Sequence, residues 1–188
     1  MEQQSLLLNI ASWLPRSHAN GPGTRMVLWV QGCPFRCPSC QNPDYLNYQP
    51  KHIKTVDWVW QVYQQIPNLT GISFSGGEPF AQAVALAELA SRIRAQAGTV
   101  VCWSGYKLEQ LQQDNIPGAV DLLNQIDLLV DGLFIKEQAA NLPLRGSSNQ
   151  RLHFLTGKIT YDDLINIPRQ EWTLTSSKYI YTGFPGNG

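Results

Sequence analysis

Arg25-Met26-Val27-Leu28-Trp29-Val30-Gln31-Gly32-Cys33-Pro34-Phe35-Arg36-Cys37-Pro38-Ser39-Cys40 is the stretch on which the reading of this chain turns. Its first half, residues 25–31, is apolar and β-prone. The Gly/Pro turn at residues 20–23 precedes it, so a strand is expected, entered from a tight turn. Its second half puts Cys33, Cys37 and Cys40 at C-x3-C-x2-C spacing on the loop that leaves the strand. Three thiolates on so short a loop can hold three corners of an iron–sulfur cubane. Such clusters normally take four cysteines, so one iron stays open to another ligand. By spacing alone this stands ahead of two alternatives that remain open. One is structural zinc, which wants four ligands, often as two separated pairs. The other is free or redox-active thiols.

Outward from this loop the pattern alternates. Thr55 is placed to cap a helix carrying Val56, Val59, Tyr63 and Ile66 on one face, with Pro67 just past its end. Residues 72–75 form a short strand running into Gly76-Gly77. An Ala-rich helix over about residues 80–97 presents Leu86, Leu89 and Ile93 at helical spacing, and Gly98 ends it. Residues 99–103 (TVVCW) make the next strand. Helices near 107–113 and 118–126 come after it, then a strand over 128–130, and residues 150–155 are one more strand candidate. Strands alternating with helices predict a single α/β domain with parallel strands. Ligands in such folds bind at the carboxyl ends of the strands. Each motif here lies just after a strand: the cysteines, Gly76-Gly77-Glu78-Pro79, Ser104-Gly105-Tyr106 and Asp131-Gly132. One site built by four loops is expected. Beyond residue 155 the pattern changes, with a short helix over 160–165, a strand-like stretch over 172–181 and a mobile end, GFPGNG.

The whole chain has 188 residues, the size of one domain. Lys plus Arg and Asp plus Glu both total 14, so the net charge is zero. That balance argues against a nucleic-acid partner and against a polybasic membrane-surface protein. Three clustered cysteines and a distant fourth, Cys102, do not make a disulfide framework, which suggests a reducing compartment. No segment approaches the roughly 18 apolar residues of a membrane span. Residues 6–14, interrupted by Asn9 and Ser12 and preceded by Glu2, make a poor signal peptide, so the cytoplasm is expected. Cys102, among Val100, Val101 and Trp103, reads as a core thiol. His18, His52 and His153 lack the partner spacing of ligands. Trp58 and Trp60, two apart, cannot share one helix face.

The cysteine loop after the first strand resembles the signature of the radical SAM superfamily. Ser39 stands where that superfamily usually has an aromatic residue, and small residues occur there in one activase subgroup. Gly76-Gly77-Glu78-Pro79 resembles the second signature, which meets the amino end of S-adenosylmethionine. Glycines admit a close backbone approach, and a carboxylate suits an ammonium. Taken alone, the same four residues are an ordinary turn. Asn20-Gly21-Pro22-Gly23-Thr24-Arg25 is similar to the D/N-G-P-G-x-R segment of glycyl-radical-enzyme activases, and is equally a tight turn. Cys40-Gln41-Asn42-Pro43 is similar to the segment that begins at the third cysteine in those enzymes. Trp103-Ser104-Gly105-Tyr106, Val130-Asp131-Gly132-Leu133-Phe134 and Arg145-Gly146-Ser147-Ser148-Asn149-Gln150 resemble, in order, elements of the activases of anaerobic ribonucleotide reductases.

The resemblance implies an open partial (β/α) barrel of radical SAM type in a single domain over 1–188. The core covers about 15–155, and 156–188 is an extension of unassigned role. It implies a [4Fe-4S] cluster on Cys33, Cys37 and Cys40. It also implies S-adenosylmethionine held at its amino end by Gly76, Gly77, Glu78 and Pro79. Ser104 and Asp131 would lie along the ribose or carboxylate, while Arg145 and Asn149 would contact the cofactor or order a lid. The bland reading of residues 145–148 is a solvated turn. The implied reaction is reductive cleavage of S-adenosylmethionine to a 5′-deoxyadenosyl radical. That radical takes a hydrogen atom from a glycine of a large glycyl-radical enzyme, an anaerobic ribonucleotide reductase. A flavodoxin- or ferredoxin-like donor supplies the electron. With no second domain, one side of the barrel is expected to stand open to a protein substrate. Two rivals differ in class. One is a radical SAM enzyme acting on a small molecule, deazaguanine-synthase-like, or on a peptide. The other is a non-catalytic iron–sulfur or zinc protein for electron transfer or interaction.

Overall fold

A computed structural model describes residues 5–113, 115–174 and 179–184. The chain begins with β1 (Leu7–Ser17), antiparallel to β2 (Arg25–Val30), the strand that delivers the cysteine loop. β3 (His52–Thr55) pairs with the other side of β1 and leads into α1 (Val56–Gln65). Thr55 caps that helix by accepting the Trp58 N–H at 3.0 Å. Then come β4 (Gly71–Gly76), α2 (Ala83–Ala95), β5 (Thr99–Ser104), the short helices α3 (Leu108–Leu111) and α4 (Ala119–Leu123), and β6 (Leu128–Asp131). β7 (Ala139–Leu142) and β8 (Arg145–Ser147) form a small hairpin, and β9 (Arg151–Phe154) returns to the sheet. A second hairpin, β10 (Gln170–Leu174) with β11 (Tyr179–Gly183), lies in the C-terminal segment. There the expected short helix is a single 3₁₀ turn, Asp162–Leu164. Within GFPGNG, residues 185–188 lie outside the described residues.

The central sheet has the order β3-β1-β2-β4-β5-β6-β9. β2, β4, β5 and β6 are parallel, as the strand–helix alternation predicts. The expectation of parallel strands throughout is corrected at the edges, where β1, β3 and β9 are antiparallel. The turn at Asn20-Gly21-Pro22-Gly23 is too short for a crossover, so it can only reverse the chain. The result is a mixed α/β fold around a large sheet with a parallel middle.

Side chains alternate across a sheet, which sorts this one into two faces. Met26, Leu28, Val30, Ile72, Phe74, Val100, Cys102 and Leu129 pack with Leu86, Leu89 and Ile93 of α2 and Val56 and Val59 of α1. Cys102 is therefore a core residue, as read from sequence. Each such aliphatic side chain contributes roughly 1.5–3 kcal/mol by burial. On the other face Val101, Leu128 and Val130 join Leu144, Ile159 and Leu164. Part of the C-terminal segment is thus built into the core.

Arg25, on that second face, is fully buried, and it forms no ion pair among the described residues. Its guanidinium donates to Ser73 Oγ at 2.8 Å, to Thr99 Oγ1 at 2.9 Å and to the carbonyls of Pro22, Ile72 and Thr99. Burial pulls its pKa down to about 10, which leaves it charged at neutral pH. It fastens the preceding turn, where Gly21 takes φ +123° and a Cβ would meet Arg25 Cδ at 2.8 Å. Parallel register sets Val30 beside Gly76 and Ser104 beside Asp131. The loops after β2, β4, β5 and β6 consequently gather at one end of the sheet.

Candidate functional site

At that end lies a cavity of about 380 Å³, within the range of small-molecule and cofactor sites. Cys33, Cys37 and Cys40 line it, together with Gly76, Gly77, Glu78 and Ser104. The cysteine loop is held from both sides. The Gly32 and Cys33 N–H groups donate to the Tyr45 and Leu46 carbonyls at 2.8 and 3.1 Å, and the Glu78 N–H donates to the Gly32 carbonyl at 2.8 Å. Arg36 donates back to the Cys33 carbonyl at 2.6 Å, and the Cys40 N–H to the Cys37 carbonyl at 3.2 Å. The tight turn before Cys40 holds Ser39 at φ +59°, in the left-handed region. The Asn42 N–H donates to Cys40 Sγ at 3.4 Å.

All four thiols are free. Burial pushes Cys33 up to about 11, and burial with the neighbouring Cys40 raises Cys37. Such thiols keep their protons at neutral pH until a metal displaces them. Among the described residues, no three His, Cys, Asp or Glu side chains converge closely enough for one metal ion. A mononuclear zinc needs every ligand about 2.0–2.3 Å from a single point. Three thiols on one short loop line this cavity, and a thiolate donor set of this kind fits an iron–sulfur cluster.

Glu78 is a buried part of the cavity wall, and its carboxylate is already engaged. Oε1 accepts from the Phe80 N–H and Ser104 Oγ, both at 3.0 Å, and Oε2 accepts from the Gly105 N–H at 2.8 Å. Burial outweighs these donors and lifts its pKa to about 7. The two glycines before it serve loop against loop. Gly76 has φ +106°, and a Cβ there would stand 2.5 Å from the Val30 nitrogen. A Cβ on Gly77 would strike the Gly32 carbonyl oxygen.

The remaining predicted site residues are not among those lining the cavity. Pro79 is buried at the first position of a 3₁₀ turn, Pro79–Gln82. Asp131, fully buried, accepts from the Leu108 N–H at 2.7 Å and from Arg151 Nε and Nη2 at 3.0 and 2.5 Å. His153 Nε2 lies 3.0 Å from it, a partner that the spacing of the histidines did not reveal. Arg145 Nη1 donates to the Gln150 carbonyl at 3.5 Å, and Asn149 and Gln150 order the loop after β6. Asn149 Nδ2 donates to the Leu133 carbonyl at 2.8 Å, and Gln150 Nε2 to the Gly132 carbonyl at 3.0 Å. Gln150 Oε1 accepts from the Gly146 and Ser147 N–H groups at 2.8 and 3.2 Å. Residues 145–148 are thus a bonded strand and turn. Of this segment, Gly146 and Gln150 reach the cavity, whereas Arg145 and Asn149 are not among its lining residues.

Sequence reading missed Trp29, Trp103, Phe35 and Phe134, which give the cavity its aromatic walls. Strand parity was the available signal for the first two, since Leu28 and Cys102 point to the helices. It also missed residues 180–184, which form a further wall. The extension carries no cysteine, and its composition alone did not assign this placement.

A family model described as "4Fe-4S single cluster domain" matches residues 19–153. The anaerobic ribonucleoside-triphosphate reductase-activating protein of Vibrio cholerae is 34% identical over 158 residues, which cover 79% of this chain and 99% of that protein. The protein of the same name from Escherichia coli K12 is 34% identical over 157 residues, with the same coverage of 79% and 99%. Among solved structures, QueE from Escherichia coli overlaps with a TM-score of 0.43 at 12% identity, covering 64% of this chain and 68% of that one, which is too loose to assign a fold.

Proposed function

The chain belongs to the 4Fe-4S single cluster domain family and to the family of the anaerobic ribonucleoside-triphosphate reductase-activating proteins, and from that premise we propose how its residues divide the work. It is a radical SAM enzyme that uses a [4Fe-4S] cluster and S-adenosylmethionine to generate a glycyl radical on an anaerobic ribonucleotide reductase. When bound, the cluster supplies the electron that cleaves the sulfonium.

Cys33, Cys37 and Cys40 hold three corners of the cluster. The Gly76–Gly77 backbone offers its carbonyls to the amino end of S-adenosylmethionine. Glu78 acts from behind, because its carboxylate ties the loop after β4 to Ser104 and Gly105 and so fixes where those carbonyls stand. Asn149 holds the loop after β6 that completes the wall, Asp131 ties the end of β6 to α3 and β9, and Arg145 ties β8 to Gln150. Trp29, Trp103 and Phe134 keep water from the reacting atoms. Pro34, Arg36, Pro38 and Ser39 form an exposed rim over the cysteines. There a flavodoxin- or ferredoxin-like donor in the cytoplasm delivers its electron. The sheet is the wall of an open partial barrel, and the chain is one domain with 156–188 as its extension.

One observation carries this reading: the three thiols and the Gly-Gly-Glu loop line a single cavity at the carboxyl ends of parallel strands. Anaerobic reconstitution with iron and sulfide tests it. Roughly four iron per chain are expected, with an EPR signal of the reduced cluster that changes when S-adenosylmethionine is added. A glycyl radical on the reductase should then form. A reduced cluster indifferent to S-adenosylmethionine would reject the assignment.

A further inference from the structure

The β10–β11 hairpin is built inside out. Glu171 pairs with Thr182 and Trp172 with Tyr181 across its two strands. Successive residues point to opposite faces, so Glu171, Thr173 and Thr182 sit with Ile180 on a mostly polar face, and Trp172, Leu174 and Tyr181 sit with Gln170 on a mostly apolar one. The polar face turns inward. Glu171 Oε2 accepts from Ser17 Oγ at 2.7 Å and from the His18 N–H at 2.9 Å, while Asn20 Nδ2 donates to Thr182 Oγ1 at 2.9 Å. Just past the hairpin, the Phe184 ring stands 6.0 Å from Trp103. The apolar face turns outward, with Trp172 67% and Leu174 69% exposed and Tyr181 37% exposed. The Trp172 and Tyr181 rings are 4.7 Å apart. An exposed aromatic patch on a surface otherwise rich in polar side chains marks a contact site.

Two facts say what covers it. Tyr181 belongs to the patch and also lines the cavity with the cysteines, so the patch and the site meet at this residue. The hairpin also lies outside the 19–153 family match, and relatives aligned over 99% of their own length use only 79% of this chain. We propose that the outer face of the hairpin, Trp172, Leu174 and Tyr181, is the docking surface for the glycine-bearing polypeptide segment of the partner reductase. Resting on the activating function above, this assigns the extension a role in substrate capture. A segment reaching the cavity past the hairpin crosses Tyr181, and Trp172 and Leu174 hold its apolar side chains. Tryptophan and tyrosine at such positions dominate interface energies.

The test compares the cluster-loaded full chain with its Trp172→Ser/Leu174→Ser double variant, using the purified anaerobic ribonucleotide reductase of the same organism. Both side chains are mostly exposed, so the thermal midpoint should be unchanged. S-adenosylmethionine cleavage without the reductase should also be unchanged. The Kd for the reductase, and its half-saturating concentration in glycyl-radical formation, should each rise about tenfold or more. An unchanged Kd would overturn the docking surface, whatever the cleavage rate. Loss of a wild-type self-dimer in the variant, with an unchanged Kd, would also overturn it by making a second copy the occupant. A wild-type chain that binds the reductase through these residues yet cleaves no S-adenosylmethionine would overturn the activating function and leave the docking surface standing.

Discussion

Ser104 and Asp131 are register partners at the ends of β5 and β6, yet their side chains fasten different loops. Ser104 Oγ donates to Glu78 Oε1 at 3.0 Å and accepts the Tyr106 N–H at 3.1 Å, joining the loops after β4 and β5. Asp131 takes the Leu108 N–H and Arg151, joining α3 to β9. The cavity wall is thus braced from two neighbouring strand ends.

Asp131→Asn should weaken the second brace. The amide keeps a carbonyl for Leu108 but loses the charge that holds Arg151, which is 42% exposed. A loss of about 2 kcal/mol is expected, below the cost of breaking a fully buried pair. Burial works against the Asp131 carboxylate, but the Arg151 guanidinium, the Leu108 N–H and His153 outweigh it and hold the pKa below the ordinary 3.8. The contribution is therefore present above that ordinary value and is lost as pH falls through the native one. Urea unfolding from pH 6 down to pH 3 should show an acid loss in the wild type that the variant lacks. Parallel curves would remove Asp131 as its source.

Glu78 should act in the opposite sense. Its native pKa of about 7 lies above the ordinary 4.5, so the native state holds the proton more tightly than the unfolded chain. Stability from this group is full below the ordinary value and declines as pH rises toward 7, by up to about 3 kcal/mol. Metal-free Glu78→Gln should show a flatter profile between pH 5 and 7.5 while keeping one acceptor oxygen. Glu78→Ala should lose about 2–4 kcal/mol at every pH, since it strands the buried N–H groups of Phe80 and Gly105. A wild-type profile already flat across that window would disprove the buried, proton-binding carboxylate.

The difference between what sequence revealed and what it hid has a physical basis. β2, β4, β5 and β6 were legible because each is a short, continuous apolar run with a chemical motif at its end. β1 was not, although it is the longest strand. It reads as an apolar stretch broken by Asn9 and Ser12. Those residues lie on its less buried side, while Leu8, Ile10 and Leu14 fill the core. Register shifts between Ile10 and Ser12, and again between Leu14 and Ser17, destroy the period of two on which recognition depends. At the site, residue types pointed to the cysteines, the glycines and Glu78. They did not distinguish lining from bracing, because Asp131 and Asn149 differ from Ser104 only in what tertiary packing sets against them.

Two glycine substitutions separate loop packing from backbone strain. Gly157 has φ +70° and nothing within 4 Å of an added Cβ. Gly157→Ala should cost about 1 kcal/mol, the strain of a left-handed alanine. For Gly77→Ala the added methyl meets the Gly32 carbonyl oxygen and stands 2.9 Å from the Tyr45 carbonyl oxygen, both backbone. The loops after β2 and β4 must part, at about 2–4 kcal/mol. That variant should also bind S-adenosylmethionine more weakly after reconstitution, measured by equilibrium dialysis, whereas Gly157→Ala should bind normally. Equal affinities would show that the Gly77 approach does not shape the binding wall.

Replacing the cysteines one at a time by alanine tests which of them are ligands. Cys33, Cys37 and Cys40 share one loop and one cavity, whereas Cys102 lies in the helix-side core beside Phe74 and Leu129. Cys33→Ala, Cys37→Ala and Cys40→Ala should each leave the apoprotein folded and lose most of the iron and the visible absorbance on reconstitution. A three-ligand cluster has no protein ligand to spare. Cys102→Ala should reconstitute fully and lose only about 1–2 kcal/mol of stability, from the small cavity left in the core. The two classes of variant thus fail in different measurements, iron content for the loop and unfolding midpoint for the strand. A Cys102→Ala chain without iron, or a Cys40→Ala chain with a full complement, would reject the assignment of ligands to the loop.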